Sequence, residues 1–285
     1  MLIIDDGSTD NSKQIVDDRI QNTDACIKYF KQENKGVSSA RNRGIELAEG
    51  RYICFFDCDD MITDNFYQSL IEGYQNKVEM SFCEWKLMNN PLDIKPDCSK
   101  NKIVSSVDFA KKYLYQQQDV HLCSIMFRKD IIDSHGIRFR DDLRYGEDQS
   151  FIWNYLVYCK ELYLSKTCNY LYRVSENSAM KKNTPEKLKL ISAFEDNETL
   201  IQTNMPAFFP KYKRYAVPRA ILAIVKDSAK NKNKRQYLSL CNQYKKVRLF
   251  DLLFHGSLTI RVASLLFIVS KRAFYYFFSH FGDMQ

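Results

Sequence analysis

No two of the nine cysteines in this 285-residue chain stand at CxxC spacing, and none sits beside a histidine at the interval a zinc site uses. Zinc ribbons and disulfide-stapled scaffolds are thereby excluded, and the pattern reads as reduced, mostly buried thiols of a cytosolic compartment. Cys54 and Cys58 flank a run of acids, and packing is the expected role for both, because unpaired cysteine is among the most buried residue types. Histidine is scarce too. His121, His135, His255 and His280 are scattered, which leaves no material for a histidine metal site or a Ser-His-Asp triad. No apolar run reaches the length needed to cross a bilayer. No secretory signal is expected, since the chain opens on a strand pattern with acids at positions 5 and 6. What is present is apolar material: 45% of the residues are hydrophobic, enough for the core of one large domain or of a domain with an appendage, and too much for a disordered chain.

The net charge of +7 conceals an asymmetry. Residues 208–272 carry fifteen Lys and Arg against two acids, Asp227 and Asp251, whereas the rest of the chain is net acidic. A basic segment on an acidic body implies an anionic partner, either nucleic acid or an anionic membrane leaflet. Nucleic acid is not expected, because the basic residues are dispersed among helices and no reading motif accompanies them. Within the same region "VASLLFIVS" (262–270), Lys271-Arg272 and "AFYYFFSHF" form two apolar stretches split by a basic pair. They suit a helix lying in a membrane interface, or equally a helix hairpin packed on the body.

Through residue 88 strand and helix patterns alternate. A strand "LIID" precedes a helix pattern "SKQIVDDRIQN", a strand "CIKYFKQ", and a helix over 37–49 closed by Gly50. "RYICFF" is a continuous apolar run, the mark of a central parallel strand buried on both faces. A helix over 64–76 and a strand "KVEMSFCEW" follow. This alternation predicts an α/β sheet with helices on both sides. The Pro, Asn, Asp and Lys of 89–102 read as a surface loop. Beyond it come a helix over 107–116, a segment "HLCSIMFRKDIID", a helix after "RYGEDQSF", and two short strands near Leu162 and Tyr170. After Met180 the strand signals stop, and helix patterns broken at Pro206, Pro210 and Pro218 fill the remainder.

Three acidic clusters fall in turns: Asp5-Asp6 after the first strand, Asp57, Asp59 and Asp60 in "FFDCDD", and Glu147-Asp148 at the start of a helix. Two of them stand at the ends of strands expected to be parallel, where open α/β sheets bind ligands. An Asp-x-Asp delivered by a buried strand suits Mg²⁺ or Mn²⁺, which need only one or two protein carboxylates and complete their shells with water and phosphate oxygens. Between the clusters, "NKGVSSARNRG" combines a glycine turn, a helix N-terminus and the permanent charges of Arg41 and Arg43, which suits phosphates.

"IIDDGSTDNS", "NKGVSSARNRGIELAEGRYICFFDCDD" and "RYGEDQSF", in that order and at these separations, resemble the family 2 glycosyltransferases of GT-A fold. The resemblance covers residues 1–180, and it implies a Rossmann-like mixed sheet, followed over 181–285 by a helical, basic region. It further implies inverting transfer of a sugar from a nucleotide-diphosphate donor to an acceptor hydroxyl, in cell-surface polysaccharide or lipid-linked glycan synthesis. Position by position, Asp5 and Asp6 match the acids that meet base and ribose, Arg41 a position near the nucleotide and phosphates, and Asp57 and Asp59 the metal and ribose-diphosphate motif. Asp148 matches the catalytic base, Glu147 lies beside it near the acceptor, and Arg173 in "YRVSENS" matches a phosphate or acceptor contact. The implied cofactor is Mn²⁺ or Mg²⁺. The implied partners are a nucleotide sugar, a glycan or lipid-linked acceptor, and an anionic membrane surface that would hold the protein peripherally at the cytoplasmic face.

The family's pattern has one strand and helix ahead of the DDGS strand, a unit of roughly 35 residues that is not seen here. Without it the sheet is expected to carry an uncovered interior edge. Either the true start lies upstream of Met1 or the chain is a truncated product, for which the alternative function is a non-catalytic remnant that binds a partner.

Overall fold

A computed structural model describes residues 1–88, 101–173, 185–244 and 249–281. The strands are β1 (Leu2–Asp5), β2 (Lys28–Lys31), β3 (Tyr52–Cys54), β4 (Met61–Ile62), β5 (Met80–Leu87), β6 (Lys102–Ser105), β7 (Ile125–Arg128) and β8 (Glu161–Tyr172). The helices of the first part are α1 (Ser12–Gln21), α2 (Val37–Leu47), α3 (Phe66–Gln75), α4 (Ser106–Leu114), α5 (Lys129–Ser134) and α6 (Glu147–Leu156). Those of the second part are α7 (Lys189–Glu195), α8 (Glu198–Asn204), α9 (Phe209–Lys230), α10 (Lys234–Gln243), α11 (Leu252–His255), α12 (Leu258–Val269) and α13 (Lys271–Phe281). Strand and helix alternate up to Tyr172, and every described element after it is helical. The α/β expectation with a helical C-terminal region is met.

The strands form two sheets. β1 and β2 pair in parallel, Leu2 opposite Lys28 through Asp5 opposite Lys31. The other six run in the order β3-β7-β5-β8-β4, with β6 also on β8. β5 is the centre, and its first four residues are buried between antiparallel β7 and parallel β8. Among the described residues β1 pairs only with β2 and β3 only with β7, so each leaves one edge unpaired.

Several elements depart from the sequence pattern. β3 is an edge strand antiparallel to β7 rather than a central parallel one. Its apolar run arises because Ile53 and Phe55 enter the core while Tyr52 stacks on Tyr74 of α3 at 4.2 Å, so both faces are covered without parallel neighbours. The two short strands near Leu162 and Tyr170 are one strand of twelve residues, β8, with a register shift opposite Cys83 and Glu84. The polar Lys166-Thr167 that looks like a turn is that bulge. α2 ends at Leu47 because Ala48 is already extended, so Gly50 does not cap it. Pro218 lies inside α9, a helix of 22 residues that continues through it. Cys58 is exposed and Cys54 half-buried, which corrects the packing expectation for Cys58: it occupies the solvated acidic turn. The eight described cysteines are all free. The loop expected over 89–102 lies, up to residue 100, outside the described residues.

One hydrophobic core runs from Ile45 to Phe278 and joins the two parts. Trp153 of α6, fully buried, packs between Tyr113 of α4 and Tyr212 of α9, at 5.3 and 5.1 Å between ring centroids. Arg219 of α9 is buried and donates to the Tyr113 and Leu114 carbonyls at 2.9 and 3.3 Å, capping the C-terminal end of α4. The apolar tail forms a hairpin: α12 and α13 pack on each other and on α9 through Ile260, Ala263, Phe267, Phe274 and Phe278. Its outer side nevertheless stays apolar, with Leu258, Val262, Leu265, Ile268 and Val269 exposed. No helix among the described residues is long and apolar enough to cross a membrane.

Candidate active site

The strand directions bring the acidic turns together. β3, β5 and β8 run the same way, since β3 and β5 are each antiparallel to β7 and β8 is parallel to β5. The turn after β3 therefore opens on the same sheet edge as the ends of β5 and β8 and the start of β7. Phe55, the last buried residue before the acids, packs against Phe139 at 5.0 Å and Phe151 of α6 at 5.6 Å. The Asp57 turn and the first turn of α6 thus share one aromatic floor.

Arg41 of α2 joins them. Its Nη1 donates to Asp148 and lies 3.9 Å from Glu147 Oε1, while Nη2 donates to Asp57 at 3.1 Å. The guanidinium sits 5.4 Å from the Phe139 ring centroid, and the side chain is 10% exposed. Burial works against its charge, but Asp148 and Asp57 outweigh that, and its pKa lies above the ordinary guanidinium value. Asn42, the next residue, exchanges two hydrogen bonds of 2.8 Å with the Phe139 backbone and so pins α2 to the loop before α6. Arg43 is exposed on another face of α2, outside this cluster.

Glu147 and Asp148 stand in the first turn of α6, where the helix dipole favours negative charge. Burial still pushes Glu147 up to about 7, with the Asp148 charge adding to it. Burial also raises Asp148, and Arg41 opposes that shift. Both carboxyls of the pair are therefore raised and titrate together, Asp148 held against the guanidinium and Glu147 still partly protonated near neutral pH.

The acids of the "DCDD" turn divide their tasks. Asp57 is held by Arg41, and Asp59 is exposed and has no partner among the described residues. Asp60 is buried, accepting from the Tyr170 hydroxyl and from the Arg173 backbone N–H at 2.8 Å. Its own N–H donates to the Asp57 carbonyl at 3.1 Å, so it fastens the turn to the end of β8. The Arg173 side chain is exposed, and the rest of "YRVSENS" after it lies outside the described residues.

Asp5 and Asp6 anchor backbone. Asp5 accepts from the Tyr29 hydroxyl and from the Ser8 N–H at 2.7 Å, and these bonds, Tyr29 foremost, lower it to about 2. Asp6 accepts from Gln32 Nε2 and the Gly36 N–H at 2.7 Å and from the Lys35 N–H at 3.0 Å, shaping the turn into α2. Gly36 holds φ +93 there, a backbone angle that glycine adopts without strain.

No group of three or more His, Cys, Asp or Glu side chains gathers as a metal cage among the described residues. The Asp57 and Asp59 carboxylates are the donor type a hard cation with few protein ligands takes, Asp59 exposed and Asp57 paired with Arg41. Sequence reasoning passed over Asn42, Tyr170 and His121, and named Asp60 only as one acid of its turn. His121 is half-buried, its ring stacked on Tyr170, and Asp148, Asp57 and Asp60 all act on it electrostatically. No local signal marks it, because its partners come from the distant strand β8 and helix α6.

Known proteins resemble the chain in sequence and in fold. Residues 1–136 match the family model described as Glycosyl transferase family 2. The minor teichoic acid biosynthesis protein GgaB of Bacillus subtilis (strain 168) is 28% identical over 231 residues, which are 76% of this chain and 25% of that protein. The chain spans between 25% and 61% of the length of three curated relatives it matches. S. aureus TarS 1–349 in complex with UDP-GlcNAc superposes with a TM-score of 0.67 at 15% identity, over 98% of this chain and 81% of that one. The mannosyltransferase PcManGT from Pyrobaculum calidifontis, in complex with GDP-Man and Mn²⁺, gives 0.56 at 13% identity, over 99% and 78%. At such identities the likeness establishes the fold, a mixed sheet with surrounding helices of GT-A type.

Proposed function

Residues 1–136 form a glycosyl transferase family 2 domain, and from that premise we propose that the protein is an inverting glycosyltransferase moving a sugar from a nucleotide diphosphate to an acceptor hydroxyl in cell-surface glycan synthesis. The observation that carries this reading is Arg41, which gathers Asp57 of one motif and Glu147 and Asp148 of another into one cluster. Asp148 takes the proton of the acceptor hydroxyl as that oxygen attacks the anomeric carbon. Arg41 favours the ionised form of Asp148 against the burial that raises its pKa, and places a fixed positive charge where a diphosphate would rest. Glu147, protonated near neutral pH, donates a hydrogen bond to the acceptor. Asp5 and Asp6 shape the pocket for base and ribose, and Arg173 meets phosphate or acceptor. Asp57 and Asp59 would hold Mn²⁺ or Mg²⁺, which when bound neutralises the departing diphosphate.

Residues 1–180 serve as the catalytic domain and residues 181–285 as the basic region that associates with an anionic membrane surface, at the cytoplasmic face where lipid-linked acceptors are presented. Teichoic acid synthesis by a relative and the nucleotide-sugar complexes of the two solved structures support the substrate class. The test is differential scanning fluorimetry of the chain with Mn²⁺ and UDP, GDP or CDP, beside Asp59→Asn. A rise in melting temperature with one nucleotide, absent in Asp59→Asn, is expected. No rise with any nucleotide would instead favour a non-catalytic, partner-binding chain.

A further inference from the structure

Beyond Asp60 the site is bounded by aromatic rings. Strand register sets Trp85 opposite Tyr170 and Leu87 opposite Tyr172, so these four share one face of the β5 and β8 ribbon at its carboxyl end. Lys86, by the same alternation, falls on the other face. His121, in the turn before β7, lies over the aromatic face. Its ring is 4.9 Å from Tyr170, 5.2 Å from Tyr172 and 5.5 Å from Trp85 between centroids. Trp85 and Tyr172 meet edge to face at 6.2 Å. Tyr170 is fully buried, but Trp85, Tyr172 and His121 are only half-buried, so the cluster has a solvent side.

The wall adjoins the reacting groups. The Tyr170 hydroxyl donates to Asp60 in the same turn as Asp57 and Asp59. It stands on β5 and β8, inside the six-stranded sheet, whereas Asp5 and Asp6 follow the separate β1 and β2 pair. His121 Nδ1 accepts the Cys123 N–H at 3.3 Å, which places the ring proton on Nε2, and no described residue accepts that proton. Burial lowers the His121 pKa, and the Trp85, Tyr170 and Tyr172 rings beside it carry no charge of their own.

We propose that Trp85, Tyr172 and His121 form the acceptor subsite, and that it takes the terminal ring of a glycan or glycolipid in preference to an acyclic polyol phosphate. The inference rests on Asp148 being the base that the acceptor hydroxyl must reach. A pyranose presents a face of weakly positive C–H groups, which matches the negative face of an indole or phenol ring. One ring hydroxyl then accepts from His121 Nε2–H, the pattern of an apolar site with a single placed polar group.

Saturation-transfer difference NMR on the full chain tests this, using methyl glycosides of glucose, galactose and N-acetylglucosamine beside glycerol 3-phosphate, with and without Mn²⁺ and nucleotide diphosphate. At least one pyranoside is expected to bind saturably, and to bind roughly three- to tenfold more weakly to Trp85→Leu and to His121→Gln. Both variants are expected to keep the wild-type nucleotide thermal shift. Preference for glycerol 3-phosphate, failure of every pyranoside to bind the wild type, or equal binding by both variants would each overturn the subsite. Loss of the nucleotide shift in both folded variants would also overturn it, by assigning the wall to the donor. A wild type that shows wall-dependent pyranoside binding but no nucleotide shift would sink the proposed transferase and leave the sugar site standing.

Discussion

Arg41 contacts Asp57 and Asp148, 16 and 107 residues away in sequence, and its one charge is shared among three carboxylates. It cannot neutralise them all, so the least favoured carboxylate keeps its proton. That group is Glu147, raised from an ordinary value near 4.5 to about 7. The folded chain then binds this proton more tightly than the unfolded chain, so stability falls as pH rises from 4.5 through 7 and levels off above. Glu147→Gln removes that loss. Its melting temperature should match the wild type near pH 4 and exceed it increasingly up to about pH 7, with a constant excess above. The gain should be at most about 3 kcal/mol, since the displacement spans about two and a half units at about 1.4 kcal/mol each and Asp148 shares the titration. A constant offset across this range would mean that Glu147 is ionised throughout. The acids themselves were legible because each cluster is local in sequence. Asn42, His121 and the tie of Asp60 to β8 were not, since those roles exist only through backbone and rings brought in by other elements.

Gly146 is the N-cap of α6, with φ +84, and it sets the direction in which Glu147 and Asp148 leave the loop. A Cβ there would meet Leu190 Cδ1 of α7 at 2.8 Å, and α7 is held to the same loop by Lys189 donating to the Asp142 carbonyl at 2.6 Å. Gly146→Ala should cost about 1–2 kcal/mol for the left-handed backbone, plus a steric part. Denaturant unfolding of Gly146→Ala/Leu190→Ala beside Leu190→Ala separates the two, because the smaller α7 residue relieves the clash and leaves the backbone cost. Full recovery in the double variant would show that no backbone strain exists. Helices such as α3 and α4 were readable at this scale because apolar spacing and, for α4, the Ser105 cap with its 3.1 Å bond from the Asp108 N–H are local signals. The unity of β8 and the passage of α9 through Pro218 were not. In both cases a polar bulge or a proline gives a local break signal, and packing against neighbouring elements overrides it.

At the scale of the molecule, the tail packs as the hairpin that is one of the two readings open from sequence: its inner side lies on α9 while its outer side remains apolar. Leu258, Val262, Leu265 and Val269 follow one another at helical spacing along α12, with Leu258 and Val269 at 77% and 75% exposure. Arg261 and Arg272 are exposed beside them, and Phe250 and Phe254 are exposed just before. Sequence periodicity could not divide these sides, because α12 is apolar nearly all round and only its contact with α13 and α9 decides which residues face out. An apolar stripe rimmed by arginine suits the boundary between headgroups and acyl chains, where each basic residue contributes about 1 kcal/mol against anionic lipid. The full chain should therefore float with vesicles containing phosphatidylglycerol more than with phosphatidylcholine vesicles, and less so as salt is raised. Leu258→Asp/Val269→Asp should weaken that partition at least about tenfold, since each side chain contributes about 1.5 kcal/mol or more when buried in apolar surroundings. Both positions are largely solvated, so the melting temperature should be nearly unchanged. Partition that survives the double variant, or that ignores lipid charge, would place the membrane contact elsewhere and leave the α12 face to a protein neighbour.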